Sequence, residues 1–139
     1  MDPATPPYDS TGVPDGRAGV VLVADDSFDA REMYAMYFQH RGYGAYTAED
    51  GDAAVHIARD VRPDLIVMDL SMPRVDGITA IQRLKQDPRT QSIPVILLTG
   101  HPSKAAERGA LEAGAAIFLT KPCLPEDLEH HVSEILKAR

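Results

Sequence analysis

The sequence has no tryptophan, one cysteine (Cys123), five tyrosines and three phenylalanines. A lone cysteine cannot close an internal disulfide, so the fold must rest on its core, and such sparing cysteine use fits a reducing cytoplasm. No apolar run approaches the roughly 20 residues that a membrane-spanning helix needs. The chain start lacks the charged and then apolar pattern of a secretory signal. Positive charge is also scarce, with 14 Lys and Arg against 21 Asp and Glu, a net charge of −7 and a pI near 5.1. That balance argues against nonspecific nucleic-acid binding, which relies on clustered cations to neutralise phosphates. Cys and His nowhere take up zinc-ligand spacing.

What is present fits one soluble domain. A chain of 139 residues, 44% hydrophobic and 25% charged, can bury a single core and is too short for two ordinary domains. Residues 1–18, MDPATPPYDSTGVPDGRA, are rich in Pro, Gly, Asp, Ser and Thr and read as a flexible tail. The domain then covers residues 19–139.

From there the chain alternates. Val20 to Ala24 is a short apolar run rich in β-branched residues, the pattern of a strand buried on both faces. Ala30, Met33, Tyr34, Tyr37 and Phe38 then recur at helical spacing until Arg41-Gly42. Further strands are expected at Tyr43 to Thr47, Leu65 to Met68, Pro94 to Leu98 and Ala116 to Thr120. The intervening helices carry Ala54, Ile57, Ala58 and Val61, then Ile78, Ile81 and Leu84, with Pro63 and Pro88 as breakers. Ala106, Gly109, Ala110, Ala113 and Gly114 form a stripe of very small residues, able to pack closely but weakly held. A last helix from about Pro125 presents Leu128, Val132, Ile135 and Leu136. Five βα units predict an α/β fold, a five-stranded parallel sheet with helices on both faces.

In such a sheet, ligands bind outside the carboxyl ends of the strands. The residues expected there are Asp25 and Asp26 after strand one, Asp69 after strand three, Thr99 after strand four and Lys121 after strand five. Any one of them could serve only as a helix cap or a turn residue. Together they supply a carboxylate nucleophile, further acids, a hydroxyl and an ammonium, the parts of a phosphoryl-transfer site. Neighbouring carboxylates repel one another, so without a cation at least one should have its proton affinity raised. Oxygen ligands with no Cys or His beside them suit a hard cation such as Mg²⁺.

The segments VLVADDSFDAR, PDLIVMDLSMPRVDG, PVILLTG and FLTKP resemble the receiver domains of two-component response regulators, over roughly residues 19 to 138. The resemblance implies the flavodoxin-like (βα)5 receiver fold of a stand-alone regulator of the chemotaxis type. It implies Asp69 as phosphoacceptor, Asp26 as a direct Mg²⁺ ligand, Asp25 acting largely through metal-bound water, and Ser71 lending its backbone carbonyl. Thr99 and Lys121 would each meet a phosphoryl oxygen, and the Lys121-Pro122 peptide would be cis. Phe118 stands at the switch aromatic position, so that Thr99 and Phe118 relay the event to the surface of helix four, strand five and helix five. Ser71 and His101 stand where the family tunes phosphoryl lifetime, and Gly100 leaves the acceptor open to a donor.

The partners implied are a sensor histidine kinase or phosphotransfer protein and an unidentified downstream protein, with neither nucleic acid nor membrane, and no DNA-binding or enzymatic output domain. Whether the same surface forms a phosphorylation-dependent homodimer is left open by the sequence. Two other classes compete. A phosphatase of the haloacid dehalogenase type expects Asp-x-Asp after its first strand, whereas here the acids are adjacent. A flavin or nucleotide module would need a glycine-rich phosphate loop where Asp25-Asp26-Ser27 stands. His40, His56, His130 and His131 read as solvated surface residues, and Cys123 as a partly buried small hydrophobe.

Overall fold

The computed structural model describes residues 18–139. The expected tail lies outside the described residues except for Ala18, whose N–H donates to the Gly42 carbonyl at 3.0 Å. Ten elements alternate as anticipated: β1 (Val20–Ala24), α1 (Phe28–His40), β2 (Gly44–Ala48), α2 (Gly51–Val61), β3 (Leu65–Asp69), α3 (Gly77–Lys85), β4 (Val95–Thr99), α4 (Lys104–Ala113), β5 (Ile117–Thr120) and α5 (Pro125–Ala138). All neighbouring strands are parallel, in the order β2-β1-β3-β4-β5.

The strands read as unbroken apolar runs because both sheet faces are covered. Alternate side chains then divide between two cores. Leu22, Ile66, Met68, Val95 and Leu97 pack with Ala54, Ala58, Ile81, Leu84 and Ala110, on the side of α2, α3 and α4. Val21, Val23, Val67, Ile96 and Leu98 pack with Tyr34, Phe38, Leu128 and Val132, on the side of α1 and α5. Helix starts are set locally. Ser27, Asp50, Asp76 and Ser103 each accept, through the side chain, from the N–H three residues on, satisfying a donor the first helical turn cannot. The α5 helix starts instead with Pro125 in its first turn.

Several expectations shift. The β2 strand runs one residue later than expected, and β5 begins at Ile117. Met33, expected on the core face of α1, is 44% exposed, because the stripe that meets the sheet is the narrower set Tyr34, Ala35 and Phe38. Gly114 does not extend the small-residue stripe of α4 but ends the helix, at φ 116, a left-handed conformation open to glycine. Its N–H donates to the carbonyls of Ala110 and Leu111. Among the described residues no helix is long and apolar enough to cross a membrane.

Candidate functional site

The parallel order brings the carboxyl ends of β1, β3, β4 and β5 to one edge, and the anticipated polar residues meet there. One carboxylate oxygen from each of Asp25, Asp26 and Asp69 lies within 4.8 Å of the others. Asp25 and Asp69 are buried, while Asp26 is exposed at the mouth. Asp25 is held by its neighbours: its Oδ1 accepts from the Ser27 N–H at 2.9 Å, and its carbonyl accepts from the Arg31 guanidinium at 3.3 Å. The Asp25 N–H donates to the Ala48 carbonyl at 3.1 Å, which ties this corner to the end of β2.

Lys121 bridges the acids. Its Nζ donates to Asp25 Oδ2 at 3.0 Å and lies 3.4 Å from Asp69 Oδ2. The Lys121–Pro122 peptide is cis, as the resemblance implied. The loop carrying Lys121 is tethered to α1, because the buried Tyr34 phenol donates to the Cys123 carbonyl at 2.6 Å. Sequence reading placed Tyr34 on a core face without assigning its hydroxyl a task; a phenol expected in a core needs a partner, and that was the available signal.

The electrostatics match the crowding. Burial raises the proton affinity of Asp69 above its ordinary value of 3.8; the Lys121 ammonium opposes this and the Asp25 carboxylate reinforces it. Repulsion between acids was the cause expected from sequence, yet desolvation is the larger cause. Burial alone would make the Lys121 ammonium easier to deprotonate, but the hydrogen bond to Asp25 and the charges of Asp69 and Asp25 outweigh it and hold the proton more firmly.

Thr99 is fully buried, and its Oγ1 accepts from the His101 N–H at 3.0 Å. Gly100 has open space around it, with no heavy atom within 4 Å of where a Cβ would sit. Ser71 is exposed, and its N–H donates to Asp69 Oδ1 at 3.4 Å. Phe118 is register partner to Leu97 and packs, partly buried, against the core on the α4 side. By strand alternation Thr99 shares that face. The remaining residues fall as expected: Cys123 is partly buried, and His40, His56 and His130 are exposed. His131 is the exception, being partly buried beside His130.

A second contact also escaped sequence reading. Arg74, in the loop after Asp69, grips the buried Asp50 carboxylate through both Nε and Nη2. The partners lie 24 positions apart, and Asp50 already has a sufficient local reason as the cap of α2.

The fit to a divalent cation follows from the donor set: three carboxylate oxygens converge and, among the described residues, no nitrogen or sulfur ligand joins them.

The chain matches the response regulator receiver domain over residues 21–133, and it belongs to that family. It is 33% identical over 117 residues to the phosphate regulon transcriptional regulatory protein PhoB of Escherichia coli, covering 84% of this chain and 51% of that protein. It is 44% identical over 110 residues to protein-glutamate methylesterase/protein-glutamine glutaminase 2 of Anaeromyxobacter dehalogenans, covering 78% of this chain and 31% of that one. The chain thus spans about half or less of the length of these curated relatives. Among solved structures it resembles the chemotaxis protein CheY4 of Vibrio cholerae, with TM-score 0.79 and 30% identity, covering 84% and 97% of the two chains. It likewise resembles the receiver domain of a signal transduction histidine kinase from Syntrophus aciditrophicus, with TM-score 0.79 and 36% identity, covering 86% and 91%. A receiver domain is a signalling switch of two-component systems, served by histidine kinases or phosphotransfer proteins.

Proposed function

We propose that Asp69 accepts a phosphoryl group from a phosphohistidine, with Mg²⁺ held by Asp25, Asp26, Asp69 and the Ser71 carbonyl, and that the chain signals by binding a protein partner. The observation that carries this reading is the convergence of three carboxylates within 4.8 Å, two of which, Asp25 and Asp69, share Lys121. An Asp69 oxygen forms a bond to phosphorus as the P–N bond of the donor breaks, and the released imidazole takes up a proton. Mg²⁺ bound there would supply charge that neutralises the phosphoryl oxygens. The Lys121 ammonium, already 3.4 Å from Asp69, pairs with one of those oxygens. The Thr99 hydroxyl is free to donate to another, since its oxygen only accepts from His101 here.

The donor approaches over an apolar rim. Met33 and Leu124 are exposed large hydrophobes that line one pocket with Lys121, Pro122 and Cys123. Such a surface beside the acceptor suits a helical phosphohistidine carrier.

The output runs the other way. Drawing the Thr99 hydroxyl toward the phosphoryl group frees space on the α4 side, where Phe118 is only partly buried. The ring then settles inward and alters the α4-β5-α5 surface that a partner reads.

The test is incubation with Mg²⁺ and acetyl phosphate, followed by intact mass. One hydroxylamine-sensitive phosphoryl adduct is expected, lost in Asp69→Asn and with chelator. An adduct that survives in Asp69→Asn would move the acceptor elsewhere. Capture with the beryllofluoride-bound form then separates a downstream partner from a second copy of the chain.

A further inference from the structure

We propose that Arg74 is a positioning residue for the acidic pocket, its guanidinium clamping Asp50 and thereby fixing the loop that runs from Asp69 to α3. The proposal rests on the Mg²⁺-dependent reading of the pocket given above.

Arg74 stands at φ 63, a left-handed conformation that a side chain makes costly and that glycine would take freely. A tight turn closes around it, with the Val75 N–H donating to the Pro73 carbonyl at 2.7 Å. The Arg74 side chain reaches across to the β2–α2 corner. Nε donates to Asp50 Oδ2 at 3.1 Å and Nη2 to the same oxygen, with Glu49 4.0 Å away. Exposed ion pairs contribute little as a rule, but here one partner is almost fully buried, the Asp50 side chain being 4% exposed. A carboxylate so placed holds its cation in one geometry.

The clamp works beside a backbone lock. Gly51, next to Asp50, donates its N–H to the Val75 carbonyl at 3.1 Å, and a Cβ on Gly51 would fall 2.2 Å from that oxygen. At the far end, the Gly77 N–H donates to Leu70 at 2.9 Å. Arg74 and Val75 are therefore held against the β2–α2 corner, and the loop that carries them is closed at its base. That same corner holds the first acid, because Ala48, two residues before Asp50, accepts from the Asp25 N–H. Arg74 thus ties the chain segment carrying Asp69 and Ser71 to the segment that supports Asp25. Metal affinity depends on holding such ligands in a fixed mutual arrangement, which is the service outer contacts give to a metal site.

The test compares the full-length protein with Arg74→Gly, Arg74→Lys, Asp50→Asn and the Arg74→Gly/Asp50→Asn double variant. Glycine removes the clamp and relieves the left-handed backbone, and asparagine keeps the α2 cap while removing the charge. Mg²⁺ affinity is read from amide shifts in an NMR titration, thermal midpoint from circular dichroism, and phosphorylation rate with acetyl phosphate at saturating Mg²⁺.

Arg74→Gly and Asp50→Asn should each weaken Mg²⁺ binding by about tenfold. The double variant should be no weaker than either, as expected for two halves of one contact. Arg74→Lys should fall between, since an ammonium meets the carboxylate but cannot offer two nitrogens. Unchanged Mg²⁺ affinity in both single variants, with a wild type that binds Mg²⁺ and forms its adduct, overturns the clamp alone. A wild type that binds no Mg²⁺ overturns the reading of the pocket and the clamp with it. A drop in thermal midpoint without loss of affinity makes Arg74 a stability contact only, and likewise overturns the proposal.

Discussion

Asp69 combines two demands that pull apart. As the proposed acceptor it must sit in a dry, shaped site, yet burial works against its charged form, so its proton affinity stands above the ordinary 3.8. The sign of the linkage follows. The folded chain binds a proton at Asp69 more readily than the unfolded chain does, so this residue withdraws stability as pH rises from 3.8 through the raised folded value. In chelating buffer, Asp69→Asn should therefore raise the urea midpoint at neutral pH, and the gain should shrink toward zero as pH approaches 3.8. An equal gain at both pH values would assign it to packing rather than to charge. Asp69 and its companions were legible in the sequence because, although each alone could be a cap or turn residue, together they end several strands on one edge of the sheet. Arg74 was not legible: an exposed arginine in a loop looks like any solvated cation, and the buried carboxylate it meets stands 24 positions away.

The helices differ in how firmly the sheet holds them. Across α1 the buried set includes Tyr34 and Phe38, and across α3 Ile81 and Leu84, but α4 buries only Ala110 and leaves Leu111 47% exposed. Small side chains remove little apolar surface from water, so α4 has the least to lose on opening. Among the described helices, α4 amides should exchange earliest in a hydrogen-exchange time course, well before those of the fully buried β1, β3 and β4 cores. Protection of α4 equal to that of α3 would refute the ranking. The small-residue stripe signalled this weakness in the sequence, although it could not separate Ala110, which packs, from Gly114, which caps; helical periodicity is the same for both. For Met33 the periodicity was too generous, because the width of a buried stripe depends on what lies opposite.

Element order and strand type were legible across the whole molecule, since each short apolar run followed by a helical one demands a parallel crossover. The lateral order β2-β1-β3-β4-β5 came only through the family resemblance, because every parallel strand presents the same backbone edge and only tertiary packing chooses its neighbours. The end of the sheet opposite the acidic pocket is closed by Asp64. Its Oδ2 accepts from the Val20 N–H at 2.7 Å and its Oδ1 from the Arg139 guanidinium at 2.7 Å. Burial alone would raise the Asp64 carboxyl, but these two hydrogen bonds and the Arg139 charge hold it below 3.8. Its stabilising contribution is thus present above 3.8 and lost as pH falls through the lowered folded value, the opposite trend to Asp69. Asp64→Ala should cost about 1 kcal/mol in urea denaturation at neutral pH. Wild type and variant should converge in acid; a difference that persists there would place the cost elsewhere.

Val20 and Arg139 meet at Asp64, and the strands run parallel from there toward the acidic pocket, about 16 Å away at the usual rise per residue. An affinity tag, a fluorophore or an entire second protein joined at either extremity of the fold would hang from the far pole. The acidic pocket would stay clear, so other machinery can be joined at either end of the described fold without covering it.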